Sequence, residues 1–379
     1  MIDRTRTGAI WRTLVGTGLL VALSGCGEKV EYAAVPRSVD SEASGSDVAQ
    51  ETGSTPVATV EEGTVGEAAE TEIYLEGVTF QNGLYVATGA VEGEHETDSV
   101  ILTSEDAQTW SLRYRGGDEV LAAVAFGGGH WVVAGWGIRW VGGNEYIRSQ
   151  SVLVSEDALT WQEVRSPSPD SKEGFHEVVW AGSEFLMHGD IEGSYALWAS
   201  ETGTEWTERG RGAIPAGLAV GVPGVVGHLG AAIALTNDAG LSWSQSSPLE
   251  ERRWVAGLWA EGDGFGGTAW YDCCAGENPN GFSYYSMHSP DGLEWSLQNT
   301  SDPAPAAVAR IGQRWVGRSV ESGFILYRGA NEPWQVSSEV EGGIRAVTAG
   351  NKFVAVGHGI WNSEDGVTWV PATVPALDQ

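Results

Sequence analysis

Residues Ala346–Val370 read AVTAGNKFVAVGHGIWNSEDGVTWV. Short apolar runs rich in Val, Ile, Phe and Trp are broken by Gly, Asn and Asp, the pattern of strands joined by tight turns. The stretch and its margins predict four strands, Arg345–Ala349, Phe353–Gly357, Gly359–Ser363 and Thr368–Ala372. Its closing phrase, SEDGVTW to Trp369, recurs up the chain as SEDAQTW (to Trp110), SEDALTW (Trp161), SETGTEW (Trp206), TNDAGLSW (Trp243) and SPDGLEW (Trp295). A worn copy, GANEPW, ends at Trp334. These tryptophans are 51, 45, 37, 52, 39 and 35 residues apart, the period range of blade-type repeats. A four-stranded unit cannot bury both faces alone, so such units stack radially and each sheet covers the next. Seven copies predict an all-β chain: a seven-bladed β-propeller of four-stranded antiparallel blades over residues 73–379.

Residues 1–25 have the layout of an export signal. Arg4, Arg6 and Arg12 precede an apolar run from Leu14 to Leu23, and Leu23-Ser24-Gly25-Cys26 follows directly. The quartet resembles a bacterial lipobox, which implies that Cys26 is acylated and becomes the mature N-terminus. Gly27 is not the aspartate that, by resemblance to Gram-negative lipoproteins, retains a protein in the inner membrane. The expected location is therefore the cell envelope, at the outer membrane where the cell has two. Residues 26–72 are rich in Ser, Thr, Glu, Ala and Val without periodicity, and are expected to form a disordered acidic tether. Such a tether would hold the propeller at an r.m.s. distance of ~35–40 Å from the membrane.

The chain carries 21 Lys and Arg against 51 Asp and Glu, a net charge of −30. Once the three arginines and one aspartate of the export signal are removed, 18 basic side chains face 50 acidic ones. That balance opposes nucleic acid, which needs cations to neutralise its phosphates, and adhesion to an anionic bilayer surface. It suits the solubility of an exported protein, expected here as a monomer. The seven histidines show no metal-ligand spacing, and no metal or cofactor is expected. His188 and His358 read as one repeat-equivalent turn position.

The recurring phrase resembles the Asp-box (S-x-D-x-G-x-[ST]-W) of sialidase-like propellers, of the luminal domain of sortilins and of the photosystem II assembly propeller. Thr236 to Trp243 match its full eight-residue form; the other copies are one residue shorter, and Thr202 replaces the aspartate in one. Physically the phrase is a capped turn. The carboxylate accepts backbone N–H groups two residues on, Gly supplies a positive φ, and Trp buries its ring between blades. Asp106, Asp157, Asp238, Asp291 and Asp365 are therefore read as structural, together with Trp110, Trp161, Trp206, Trp243, Trp295 and Trp369.

Small residues such as Gly77, Ala123, Ala307 and Ala346 on the innermost strands predict the taper of a narrow channel. Repeat alignment places Glu76, Glu177 and Arg345 at equivalent positions near one mouth, where Glu76 and Arg345 can pair across the ring closure. The Asp-capped turn joins third and fourth strands on one face, so the second-to-third loops lie on the other. Those loops are long in blades one (Gly89–Asp98), two (Gly135–Gln150) and five (Gly267–Ser286). Blade two brings Trp136, Arg139, Trp140, Tyr146 and Arg148; blade five brings Trp270, Tyr271, Phe282, Tyr284 and Tyr285. Such aromatics make a binding surface or fold back over their own loops. In an exported protein the adjacent Cys273 and Cys274 would oxidise to a vicinal disulfide, stapling the blade-five apex.

The sialidase resemblance implies a site of three carboxylate-clamping arginines, an Asp acid and a Tyr–Glu pair, with an Arg-Ile-Pro phrase early in the propeller. No Arg-Ile-Pro occurs, and blade one has no arginine before Arg113. The photosystem assembly propeller uses a basic patch that this acidic chain lacks. The expectation is a lipid-anchored binding or scaffold propeller for a protein or glycan ligand, with a glycoside-active enzyme as the alternative.

Overall fold

The computed structural model describes residues 72–92, 97–142, 145–165, 173–191, 194–249, 253–272, 282–300, 303–320, 322–330, 332–340 and 342–377. Cys26, Cys273 and Cys274 lie outside these residues, as do the export signal and nearly all of the tether. Seven antiparallel sheets of four consecutive strands follow one another along the chain, each ordered first to fourth from its innermost strand. Blade one spans residues 72–116, blade two 120–165, blade three 173–211 and blade four 216–245. Blade five spans 253–300, blade six 305–336 and blade seven 346–371. The last blade pairs Ala346–Ala349, Phe353–Val356, Ile360–Ser363 and Val370–Pro371, within a residue or two of the sequence expectation.

The ring closes without strand exchange. Leu75 of blade one donates its N–H to Gly357 O of blade seven at 2.8 Å. Thr373 forms a short parallel bridge with Thr109, exchanging backbone hydrogen bonds of 2.7 and 3.0 Å with Gln108 and Trp110. The segment after the last strand thus clasps the outer turn of blade one, and Leu377 is buried beside it.

Strand alternation decides what each blade covers. On the second strand of blade two, Trp131 and Val133 pack against blade one, while Val132 and Ala134 pack against blade three. The same logic gives an apolar cluster between blades one and two, two and three, three and four, four and five, six and seven, and seven and one. Each cluster includes the turn tryptophan of its later blade: Trp161, Trp206, Trp243, Trp295, Trp369 and Trp110 respectively. Among the described residues no such cluster joins blades five and six, and Trp334 belongs to none.

The turns themselves are capped through side chains. Asp106 Oδ1 accepts the N–H groups of Gln108 and Thr109 at 2.8 and 2.7 Å. Asp157, Asp291 and Asp365 do the same for their following residues. Asp238, in the eight-residue copy, takes both the N–H and hydroxyl of Ser242. These donors hold the carboxylates low. The N–H groups of Thr109, Thr160 and Glu294 do so for Asp106, Asp157 and Asp291, and the Ser242 hydroxyl takes Asp238 down to about 2. The indole N–H of Trp110, Trp161, Trp206 and Trp295 donates to the carbonyl three residues earlier, locking each ring over its own turn.

One expectation needs correction. The positive-φ residue is Gly alone in three turns, Gly203, Gly292 and Gly366, but in two of the seven-residue copies it is Ala, Ala107 (φ 64°) and Ala158 (φ 60°). In the eight-residue copy both Ala239 (φ 54°) and Gly240 (φ 82°) adopt it. Ala107 and Ala158 are fully buried, so each methyl group fills the neighbouring interface in exchange for backbone strain.

Candidate functional site

In blades one to six the innermost strand carries a bulge near its entry, where one extra residue opposes the second strand. A bulge re-aims a side chain and shifts the count of every residue after it. The residues so displaced include Glu76 in blade one, Ala122 in blade two, His176 in blade three and Ala256 in blade five. Arg345 enters blade seven at the matching position, its N–H bonded to Val356 O. The true counterpart of Glu76 is therefore His176. Glu177, aligned with Glu76 from sequence, corresponds instead to Gly77 and pairs with His188.

Arg345 Nε lies 3.5 Å from Glu76 Oε1 across the closure. Burial pushes the Glu76 carboxyl up, and the charges of Arg345 and Arg318 oppose that push. The Arg318 guanidinium is itself lowered by burial and by Arg345. Arg318 stands on the second strand of blade six and was not singled out by the repeat alignment. On the opposite side of the ring, Glu177 Oε1 accepts the Leu218 N–H of blade four at 2.6 Å. Burial nonetheless raises its pKa to about 7.

His188 is buried in the same neighbourhood, lowered to about 3 by desolvation and by His176 and His228. His188 and His358 are not equivalent, in contrast to the sequence reading: His188 precedes the glycine of its blade, Gly189, within a paired strand, and His358 follows its own, Gly357. His176 is 3.2 Å from Asp190. Among the described residues no three His, Cys, Asp or Glu side chains gather as a metal site.

The segments read as long second-to-third loops are largely β-ladder. In blade two the second strand runs His130–Gly142 and the third Glu145–Ser155, paired from Trp131↔Ser155 out to Gly142↔Glu145. Trp140 pairs with Tyr146, Arg139 with Ile147, Ile138 with Arg148 and Trp136 with Gln150. Blade five pairs Trp270 with Tyr284, Tyr271 with Ser283 and Ala269 with Tyr285. Blade one pairs out to Glu92↔Thr97. Aromatic residues at alternate positions satisfy a ladder as readily as a loop, which is why composition alone misled.

The hairpin bases are packed rather than free. The Trp136 ring meets His176 of blade three edge-on at 5.7 Å, and Trp270 stacks on Trp254 at 6.4 Å. Tyr285 lies under the Arg253 guanidinium at 4.3 Å, beside a cleft between blades four and five. At the foot of the blade-two hairpin, Glu119 is buried with Oε1 lacking a partner, its carboxyl raised by burial and by Asp118. It falls between two repeat units, so no periodicity marks it.

No protein-family model and no curated protein matches the sequence. Solved structures do match. YCF48 from Cyanidioschyzon merolae aligns with a TM-score of 0.51 at 14% identity, over 77% of this chain and 95% of that one. A Pyrococcus horikoshii acylaminoacyl peptidase aligns with a TM-score of 0.51 at 10% identity over 80% of this chain. The chain spans only 52% of that peptidase. The β-propeller domain of the Trilobed protease from Pyrococcus furiosus aligns over 81% of this chain at 9% identity, with a TM-score of 0.49. At these identities the likeness to YCF48 and to the peptidase speaks for architecture alone. With its own seven sheets, it makes this chain a seven-bladed β-propeller.

Proposed function

We propose that this propeller is a non-catalytic binding module of the cell envelope, anchored through lipid on Cys26 and presenting the hairpins of blades two and five to a protein or glycan ligand. The turn phrases resemble those of Asp-box propellers of the sialidase-like and sortilin-like type, which supports the reading. The observation that carries the reading is the projection of two aromatic-bearing ladders from the face opposite the Asp-capped turns. They stand three blades apart around one channel mouth and can enclose a ligand between them. A Cys273–Cys274 staple at the blade-five tip would lower the ordering cost of binding.

The alternative, a glycoside-active enzyme, needs three arginines converging on one anion. Arg345 lies 3.5 Å from Glu76, and Arg318 is close enough for its charge to act on the same carboxyl. Others are engaged elsewhere: Arg113 with Thr103, Arg115 with Asp98, Arg209 with Glu184, Arg211 with Glu208, Arg253 with Tyr285, Arg310 with Gly312 O, Arg314 with Glu332 and Arg328 with Glu261. With Glu76 already beside both guanidinium groups, the pair falls short of a three-arginine carboxylate clamp.

Full-length protein in detergent should be screened on glycan and peptide arrays. Trp140→Ala and Tyr271→Ala should each weaken the hits by about 30-fold, as central aromatic anchors do, with the melting temperature unchanged. Normal binding by both variants, or turnover of a fluorogenic glycoside that is lost in Arg345→Lys, would overturn the proposal.

A further inference from the structure

Blades five and six meet backbone to backbone near the axis. A Cβ on Gly257 would fall 2.0 Å from the Ala306 carbonyl oxygen, so the innermost strands are in backbone contact. Farther out the apolar filling stops. Phe265 and Ala269 of blade five face blade four. The alternate residues, Gly266 and Thr268, with Ser286 and His288 on the next strand, occupy the face that blades two and three line with valine, alanine and leucine. A cleft of about 480 Å³ results, a size ordinary for small-molecule sites.

Its walls are specific. Trp259 and Glu261 come from the first strand of blade five, and Gln298 and Asn299 from its outer strand. Blade six contributes Arg328 and Trp334. Arg328 Nη2 is 3.4 Å from Glu261 Oε1, and its guanidinium lies 4.7 Å from the Trp334 ring and 5.1 Å from the Trp315 ring. Trp334 is free to stand here because GANEPW has no Asp cap. Glu332 accepts the Gly329 N–H at 2.9 Å instead, and the ring lies over its own blade, with Cη2 3.4 Å from where a Gly317 Cβ would be.

We infer that this cleft binds a neutral oligosaccharide. Among the described residues, Trp259 Nε1 and Arg328 Nε are buried donors without an acceptor, and an occupant that brings oxygen acceptors would suit them. Glu261, Gln298 and Asn299 also offer acceptors, which call for donors from the same occupant. Hydroxyl groups supply both. Two indoles in the walls suit the apolar face of a sugar ring. Arg328 is already paired, Glu332 adds a negative charge, and the whole chain is acidic, so anionic sugars and phosphates are disfavoured. The site is separate from the hairpins and stands or falls without them.

The test is calorimetric titration of the full chain in detergent with neutral di- to tetrasaccharides of glucose, galactose, mannose, xylose and N-acetylglucosamine, with sialylated counterparts alongside. One neutral class should bind, and Trp334→Ala and Gln298→Ala should each weaken it about tenfold or more, while Val222→Ala, on an exposed turn of blade four, leaves it unchanged. Gln298 is exposed on the outer strand, so its substitution probes the site without threatening the fold. The inference is overturned if no neutral saccharide binds at about 10 mM, if the sialylated forms bind better, or if Trp140→Ala abolishes binding that both cleft variants retain. The first two results leave the hairpin proposal standing, and the third supports it.

Discussion

Six blade interfaces and the seventh are built from one repeat, yet they end differently. Between blades seven and one, Trp110 is buried among Tyr85, Val100, Leu102 and Val356, its indole N–H bonded within its own turn. Between blades five and six the corresponding Trp334 stacks on Arg328 beside a polar cleft. The aromatic at the start of each second strand makes the same point. Tyr85 sits in the closure core, whereas Trp315 is held between two guanidinium groups, Arg310 at 4.9 Å and Arg328 at 5.1 Å. A propeller needs its ring closed, but it does not need every interface equally dry. Contact between innermost strands, as at Gly257 and Ala306, holds a blade pair while the outer half opens.

The comparison is broken most sharply by truncating the two tryptophans. Trp110→Ala should cost ~3–5 kcal/mol, the range for an aromatic removed from a packed core. Trp334→Ala should cost about 1 kcal/mol or less, since it leaves an existing cleft larger rather than opening a dry cavity. Chemical denaturation of both variants measures this, and equal losses would erase the distinction.

A smaller effect sharpens what a sealed interface tolerates. Glu177 spans blades three and four with a carboxyl raised to about 7. The folded state therefore binds a proton more tightly than the unfolded chain, so stability should fall as pH rises from the ordinary carboxyl range through about 7. Glu177→Gln should flatten that dependence and add about 1–3 kcal/mol at pH 8, read as unfolding free energy against pH. An unchanged pH profile would show that the group is not strained.

The smallest effect concerns capping alone. Thr202 replaces the aspartate in blade three and offers its hydroxyl to the Thr204 N–H at a long 3.4 Å. Thr202→Asp should restore the tighter cap and raise stability by about 0.5–1 kcal/mol, visible as a small rise in melting temperature. No gain would mean that the tryptophan, not the aspartate, holds these turns.

The blades were legible because the turn phrase is local: Ser, Asp and Trp act within seven residues, so each copy carries its own evidence. Registration across strands was less so. A bulge adds one residue that no pattern announces, and this displaced Glu177 from its supposed equivalence with Glu76. The hairpins of blades two and five read as loops because their glycines and aromatics suit either state; only the cross-strand register separates them. The cleft did leave traces, in the worn GANEPW phrase and in Gly266 and Thr268 where an interface wants bulk. Those traces mean something only once it is known which strand faces which.

The most direct measurement is nuclear magnetic resonance of full-length protein labelled with 15N at the tryptophan indoles, titrated with the neutral oligosaccharide panel. The indole N–H signals of Trp259 and Trp334 should move with added sugar, while those of Trp110, Trp161 and Trp295 stay in place. Shifts confined to Trp136, Trp140 or Trp270, or no shift at any indole, would contradict the claim that the unsealed interface is a binding site.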